Sequence, residues 1–363
     1  MDKFGLKKLD LYIIKKFLGT FFFSIALIMS IVIVFDLAEK IDDFLEQNVP
    51  LSEIVFVYYF NFLPYFANFF SPLFIFISVI FFTSKLTSNS EIIAILSNGI
   101  SYHRLMFPYF LSALFLGILS FFLTGYIIPE ANKKRIDFEY KYIDSEFRFT
   151  STNIHRQILP GTFVYIKSYD NNRNAGSDFT IEKFEDKELI SKLVANRVSW
   201  DSITQKWSLK DYYIRNYSKI NRELEAGKSI DTSLNLYPKD FQIRLKSIEK
   251  LTSTELSVVI KELTLKGDDN LESYIVEKYR RVAFPFSTFI LTLIGVSLST
   301  KKRRGGTGVN IGLGLALSFI YILFMQVFGE LAKANSIPSL LGVWMPNIIF
   351  FIIGIFLYII APK

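Results

Sequence analysis

The sequence predicts a polytopic α-helical membrane protein with six transmembrane helices and an antiparallel, jellyroll-like β domain inserted after the third. Three observations carry that expectation. The mean hydropathy is +0.32 and 51% of the 363 residues are apolar, more than an ordinary soluble chain carries. Charge is segregated, with residues 130–281 holding 27 of the 41 Lys and Arg and 24 of the 34 Asp and Glu. Finally, 17–35, 54–84, 105–129, 282–300, 305–329 and 334–362 contain no charged residue. Each stretch is close to or longer than the roughly 20 residues that cross a hydrocarbon core as a helix.

The first stretch follows Lys15 and Lys16, as a signal peptide's core would. Its 19 uncharged residues exceed such a core, and no A-x-A-like cleavage site precedes Asp36, so it is expected to stay as a helix. The second stretch has 31 residues, and Pro64 and Pro72 within it predict a kink or tilt. Basic residues near helix ends set orientation. Lys3, Lys7, Lys8, Lys15 and Lys16 in the amino-terminal tail, and the run Lys301, Lys302, Arg303, Arg304, are expected on the cytoplasmic side. Both termini then lie in the cytoplasm, while residues 36–53 and 130–281 lie outside. The 36–53 loop is acidic, with Asp36, Glu39, Asp42, Asp43, Glu46 and Glu53 against Lys40 alone.

The chain thus divides into three regions: residues 1–129 with helices 1–3, the periplasmic β domain with its C-terminal helices at 130–281, and helices 4–6 at 282–363. Within the insert, period-two patterns predict strands at 163–166, 194–200, 207–217 and 230–236, with the polar runs DNNRNAGSD and DSITQK as turns. A sheet and a sandwich both fit. Thr252 and Glu255 then form a capping box for a helix striped by Leu256, Val259, Ile260 and Leu263, with Gly267 as its cap. A second helix starting near Asp268 or Asp269 runs into the fourth span.

Several functions are excluded. No Cys means no disulfide, thiolate metal site or Cys nucleophile, and two histidines, His103 and His155, do not make a His-rich metal centre. There is no G-x-x-x-x-G-K-[ST] and therefore no nucleotide-binding P-loop; no cofactor is expected. The net charge of +7 is not a nucleic-acid signal, because the insert contributes only +3 from 27 basic and 24 acidic residues. Trp200 and Trp207 read as packing at a hairpin, His155 and Arg156 as a surface pair, and no triad is present.

The loop KLTSNSEIIAILSNGISYHR is more ordered than a connector needs. Ser88 and Glu91 have capping-box spacing, Ile92, Ile95 and Leu96 share a face, and Gly99 suits a left-handed cap, so a helix of about ten residues is expected over 88–99. Two readings stay open. The helix rests on lipid headgroups, which Ile93 and Ile100 would suit, or it passes force from a cytosolic partner whose basic groove meets Glu91.

The passage SNSEIIAILSNGISYHRLM resembles the coupling helix of the LptF/LptG permeases, also called the YjgP/YjgQ family, which export lipopolysaccharide. LDLYIIKKFLGTFFFSI, EKYRRVAFPFSTFILTLIGVSLS and GVNIGLGLALSFIYILFMQVFGELAKANSIPSLLGVWMPNIIFF are similar to the family as well. The resemblance implies an ABC transporter permease of the bacterial inner membrane, paired with a second LptF/LptG-type permease. Its partners would be an LptB-like cytosolic ATPase dimer that uses the ATP and an LptC-like periplasmic jellyroll protein that receives lipopolysaccharide. Ser88, Glu91, Ile92, Ile95, Leu96 and Gly99 would then belong to the ATPase-coupling element. The outer domain would be a jellyroll whose open edge pairs with the next.

Lipid A phosphates call for cations at the outer surface, for which Lys40, Arg280 and Arg281 are the candidates, the arginines also being suited to anchoring among membrane lipids. The acidic 36–53 loop departs from the family, which often places positive charge there. Gly308, Gly312 and Gly314 allow close helix approach in the fifth span, within one subunit or between two. Two other classes compete with the permease. An ion-coupled transporter lacks the ionisable relays it would need inside the spans, and a membrane-anchored structural or sensor protein would move nothing.

Overall fold

The computed structural model describes residues 7–143, 150–170, 173–186, 188–217, 222–234, 236–238, 248–266, 270–300 and 306–361. Lys3, the 301–304 basic run, Gly267, Asp268 and Asp269 lie outside the described residues, as does the side chain of Arg156. The chain forms two compact units. One contains Met1–Ile143, Glu249–Ser253 and Glu272–Lys363, and the other contains Asp144–Ile248 and Thr254–Leu271.

The first unit is helical. Helix α1 spans Lys8–Glu46, a π-helical segment Glu53–Tyr59 leads into α2 at Phe60–Ser88, and the short α3 covers Glu91–Ser97. Helix α4 (Tyr102–Phe122) passes through a π-helical turn, Leu123–Ile127, into α5 (Ile128–Tyr142). After the second unit, which includes α6 (Ser253–Lys266), come α7 (Leu271–Ser299), α8 (Gly306–Lys333) and α9 (Ser339–Ile360). Six of these runs are long and apolar enough to cross a membrane, and they coincide with the six uncharged stretches. The chain is a multi-pass membrane protein. Its helices overrun the uncharged stretches at both ends, so residues 130–143 and 272–281, which charge density assigned to the insert, belong to the helical unit. Pro64 and Pro72 lie inside an unbroken α2.

Helix α7 is the centre of this unit: 78% of its apolar window is buried inside the chain, against 17% for α1 and for α8. Gly295 lets α2 approach, since a Cβ there would sit 2.9 Å from Val79 Cγ1 and 3.1 Å from Phe76 Cδ2. Polar side chains join the spans where lipid offers no partner. Thr87 Oγ1 donates to the Ser299 carbonyl at 2.7 Å, and Asn310 Nδ2 to Ser84 Oγ at 3.1 Å. Asn347 links three helices, accepting from Tyr321 OH at 2.8 Å and donating to the Ala283 carbonyl at 2.9 Å. Asn347→Leu is therefore expected to cost about 1–3 kcal/mol, two interhelical bonds at the membrane scale. Its check is the thermal midpoint of the full chain in detergent, and an unchanged midpoint would refute it.

Among the described residues the second unit holds six strands: β1 Thr150–Leu159, β2 Thr162–Asp170, β3 Ala175–Glu185, β4 Glu188–Asp201, β5 Lys206–Tyr217 and β6 Arg222–Thr232. All neighbours are antiparallel and follow one another in chain order, so the described strands make one sheet. The turn expected from DNNRNAGSD is shorter than predicted, because β3 begins at Ala175 and pairs with β2 from there. The last predicted strand is shifted too: β6 ends at Thr232, before Leu234 and Leu236. The 202–205 turn is where DSITQK placed it. There the Asp201 carboxylate accepts from Ile203 N–H at 2.9 Å and Thr204 Oγ1 at 2.8 Å, and these bonds hold its pKa below the usual carboxylate value.

One face of the sheet packs Val164, Ile166, Phe179, Ile181, Ala195, Val198, Trp207 and Leu209 with Leu236. The inward set changes parity midway, from Ile166 to Tyr169 on β2 and from Ala195 to Val198 on β4. The change lies on a polar row, Lys167, Asp178, Asn196 and Asp211, where pairing skips one position on each strand. Asp178 and Asp211 have φ of 52° there, a left-handed conformation that aspartate tolerates better than bulky residues. Trp200 and Trp207 are core packing, opposite each other with centroids 5.1 Å apart. His155 lies against the Tyr165 ring, 4.5 Å between centroids.

Candidate functional site

The short helix α3 and the segments around it form the first candidate site. The Ser88–Glu91 capping box does not form, because Ser88 is still the last residue of α2 and its Oγ donates back to the Lys85 carbonyl at 2.9 Å. The chain turns instead at Ser90, in the left-handed region with φ 62°, and α3 has seven residues rather than about ten. Glu91 Oε1 accepts from Asn89 Nδ2 at 3.2 Å. Gly99, at φ +81°, takes the left-handed position its sequence context predicted, with its N–H bonded to the Leu96 carbonyl at 3.0 Å.

The apolar face of α3 points inward. Ile92 is 1% exposed, and Ile95 and Leu96 pack against the same core of Ile13, Phe17, Tyr102, Leu105 and Met106. Ile93 remains 49% exposed, and Glu91 is partly exposed on the first turn. Ile92, Ile95 and Leu96 thus anchor α3 to the spans, Glu91 is half-buried on the first turn, and Ile93, Ala94 and Ser97 are exposed.

Sequence reasoning missed the segment just beyond α3. The first turn of α4 distributes three consecutive side chains to three different spans. Tyr102 OH donates to Ser297 Oγ of α7 at 3.4 Å, His103 Nδ1 lies 2.5 Å from Tyr358 OH of α9, and Arg104 meets Asp10 of α1. That last contact is a two-pronged ion pair, Nη1–Oδ1 at 2.6 Å and Nη2–Oδ2 at 2.5 Å. Asp10 is 1% exposed and also accepts the Lys7 backbone N–H at 2.8 Å. The sequence signal was there: Asp10 is the single acid among Lys7, Lys8, Lys15 and Lys16.

The candidate cations for phosphate are mostly committed to carboxylates. Lys40 Nζ donates to Asp36 Oδ1 at 2.7 Å and to Tyr58 OH, and its side chain is only 19% exposed. Tyr58 in turn belongs to an aromatic cluster with Phe44, Phe62 and Phe138. Glu277 takes both arginines, Arg280 at 2.9 Å and Arg281 at 3.0 Å. Arg281 is buried, whereas the Arg280 side chain is 42% exposed.

The glycine stripe divides. A Cβ at Gly314 would fall on Ile80 Cδ1, so this glycine serves packing of α8 on α2 within the chain. Gly308 and Gly312 have nothing within 4 Å of a built Cβ and lie on an open face.

Comparison with curated proteins gives no match. The family described as lipopolysaccharide export system permease LptF/LptG matches residues 11–360, which take in all six spans, α3 and the β sheet, and the chain belongs to that family.

Proposed function

We propose that this chain is one of a pair of permeases that lift lipopolysaccharide from the inner membrane of a Gram-negative cell and pass it to a periplasmic jellyroll bridge beginning with an LptC-like protein. An LptB-like ATPase dimer in the cytosol supplies the energy, and the chain has no nucleotide site or cofactor of its own. Both termini are cytoplasmic in this reading and the β domain is periplasmic. The positive charge around Lys7, Lys8, Lys15 and Lys16 supports that orientation.

The observation that carries the coupling is the build of α3. A helix anchored on its apolar face by Ile92, Ile95 and Leu96, with Glu91 half-buried on its first turn, transmits displacement to the spans rather than floating on headgroups. Pairing with a second permease is supported by the low burial of α1 and α8, whose lateral faces are the least covered of the six. All three phosphate candidates are ion-paired, and Arg280, with its side chain 42% exposed, is the most accessible of them; in this reading the partner permease supplies further cations.

Glu91→Lys tests the reading. Recovery of the ATPase with the purified permease is expected to fall about tenfold, equivalent to about 1.4 kcal/mol, with export falling in step. Intact recovery and export would sink the docking of α3. Stimulation of ATP hydrolysis by lipopolysaccharide in reconstituted vesicles separates this permease from an envelope anchor that moves nothing.

A further inference from the structure

We infer that the Asp10–Arg104 ion pair is the strut that carries the movement of α3 into the first span, and that both residues are positioning residues for export. The inference rests on the proposed coupling reading and adds a route to it. Helix α3 and the start of α4 are separated by three residues, Asn98, Gly99 and Ile100, before Ser101 caps α4 by accepting the Arg104 N–H at 3.4 Å. A displacement of α3 therefore reaches the spans in two ways, by apolar contact of Ile92, Ile95 and Leu96 with Ile13 and Phe17 of α1, which can slide, and along the chain through Tyr102, His103 and Arg104.

The three contacts of that turn differ in stiffness. The Tyr102 bond to Ser297 is long, at 3.4 Å, and joins two neutral hydroxyls. The His103–Tyr358 contact is exposed to solvent. The Arg104–Asp10 contact has two parallel charge-assisted bonds, 2.6 and 2.5 Å, in a planar geometry that resists both shear and rotation. Its carboxylate is buried, and its third acceptor bond, from Lys7 N–H, fixes it to the first turn of α1. Helix α1 is the span with the least burial against the rest of the chain, together with α8. A rigid handle at the end of a loosely held helix moves that helix with little loss. Burying an unpaired Asp10 would be costly, so the two helix ends stay joined through the cycle.

The test uses the full chain with its partners, purified as a complex and reconstituted in vesicles loaded with lipopolysaccharide. ATP hydrolysis and lipopolysaccharide release are measured together, with the amount of intact complex and its thermal midpoint in parallel. In D10N and R104Q the lipopolysaccharide released per ATP hydrolysed is expected to fall about fivefold to tenfold, inside the range of coupling changes measured along such networks, while hydrolysis and ATPase recovery stay within about twofold. R104K, which keeps the charge but not the two-pronged fork, is expected to fall between these and the unaltered chain.

A ratio unchanged in D10N and R104Q, measured on whatever complex survives, overturns the strut. So does an equal fall in Y358F, which removes only the hydroxyl that His103 contacts. The unaltered complex tests the underlying reading in the same experiment: if it shows no ATP-driven release at all, the coupling reading fails and the strut with it, whereas normal release with an indifferent ion pair removes the strut alone.

Discussion

Trp207→Ala is expected to cost the β unit about 4–5 kcal/mol, a third or more of the stability of a domain that has about 5–15 kcal/mol in total. Trp207 is fully buried in the face that holds Val164, Ile166 and Phe179, and its ring meets Trp200 at 5.1 Å and Tyr169 at 6.2 Å between centroids. Removing it opens a cavity among side chains held by the sheet, which collapses poorly. It also removes the Nε1–H bond to the Leu236 carbonyl, 2.8 Å long, which holds the chain beyond β6 against the core. Trp207→Phe keeps most of the apolar volume and loses the bond, so it should cost only about 1–2 kcal/mol. Limited proteolysis of the full chain in detergent against urea concentration measures both. Equal midpoints for Trp207→Ala and the unaltered chain would show that this ring is not the centre of the core.

Gly161→Val should be nearly as damaging, at about 3 kcal/mol or more, for a reason that has nothing to do with apolar area. Gly161 turns the β1–β2 hairpin at φ +74°, a region β-branched residues avoid. Its missing Cβ also makes room for a third strand: a Cβ would lie 2.5 Å from the Phe184 carbonyl oxygen, while the Gly161 carbonyl accepts the Phe184 N–H at 2.7 Å. The obstructing atom is backbone paired in the sheet, so it has no rotamer to escape into. Gly161→Ala meets the same oxygen and should lose most of what valine loses. A far-UV circular dichroism midpoint for Gly161→Ala matching the unaltered chain would contradict the argument. Gly308 and Gly312, which have open space around them, should tolerate alanine in that assay.

The membrane part was legible because length without charge is the one property a span requires, and that property is local in sequence. Helix ends were not, since residues such as Lys8, Asp10, Glu277 and Arg280 continue the helix once the chain has left the hydrocarbon. The spacing of Ser88 and Glu91 satisfied a capping rule, but the rule needs an extended residue at the cap and α2 claims Ser88 as its own last turn. Gly308 and Gly312 are one turn apart and share a face; Gly314 lies roughly 200° further round the helix and faces α2 instead. In the sheet, β1 and β3 were missed because small and polar residues, TSTN and AGSD, open them, and the alternation that reveals strands breaks at the row through Lys167, Asp178, Asn196 and Asp211. The Asp10–Arg104 pair joins positions 94 residues apart, and only the folded chain brings them together.

Because each described strand of the β unit pairs with those immediately before and after it in the chain, no hairpin among them waits for a distant part of the polypeptide. Short loop closures of this kind keep the contact order low. Such a sheet can zip up one hairpin at a time as the chain is made, before the fourth span has been synthesised, and the unfinished edge is covered by the next strand to arrive. A circular permutant that begins at β4 would lose that order of assembly while keeping every contact, and should fold more slowly to the same end state.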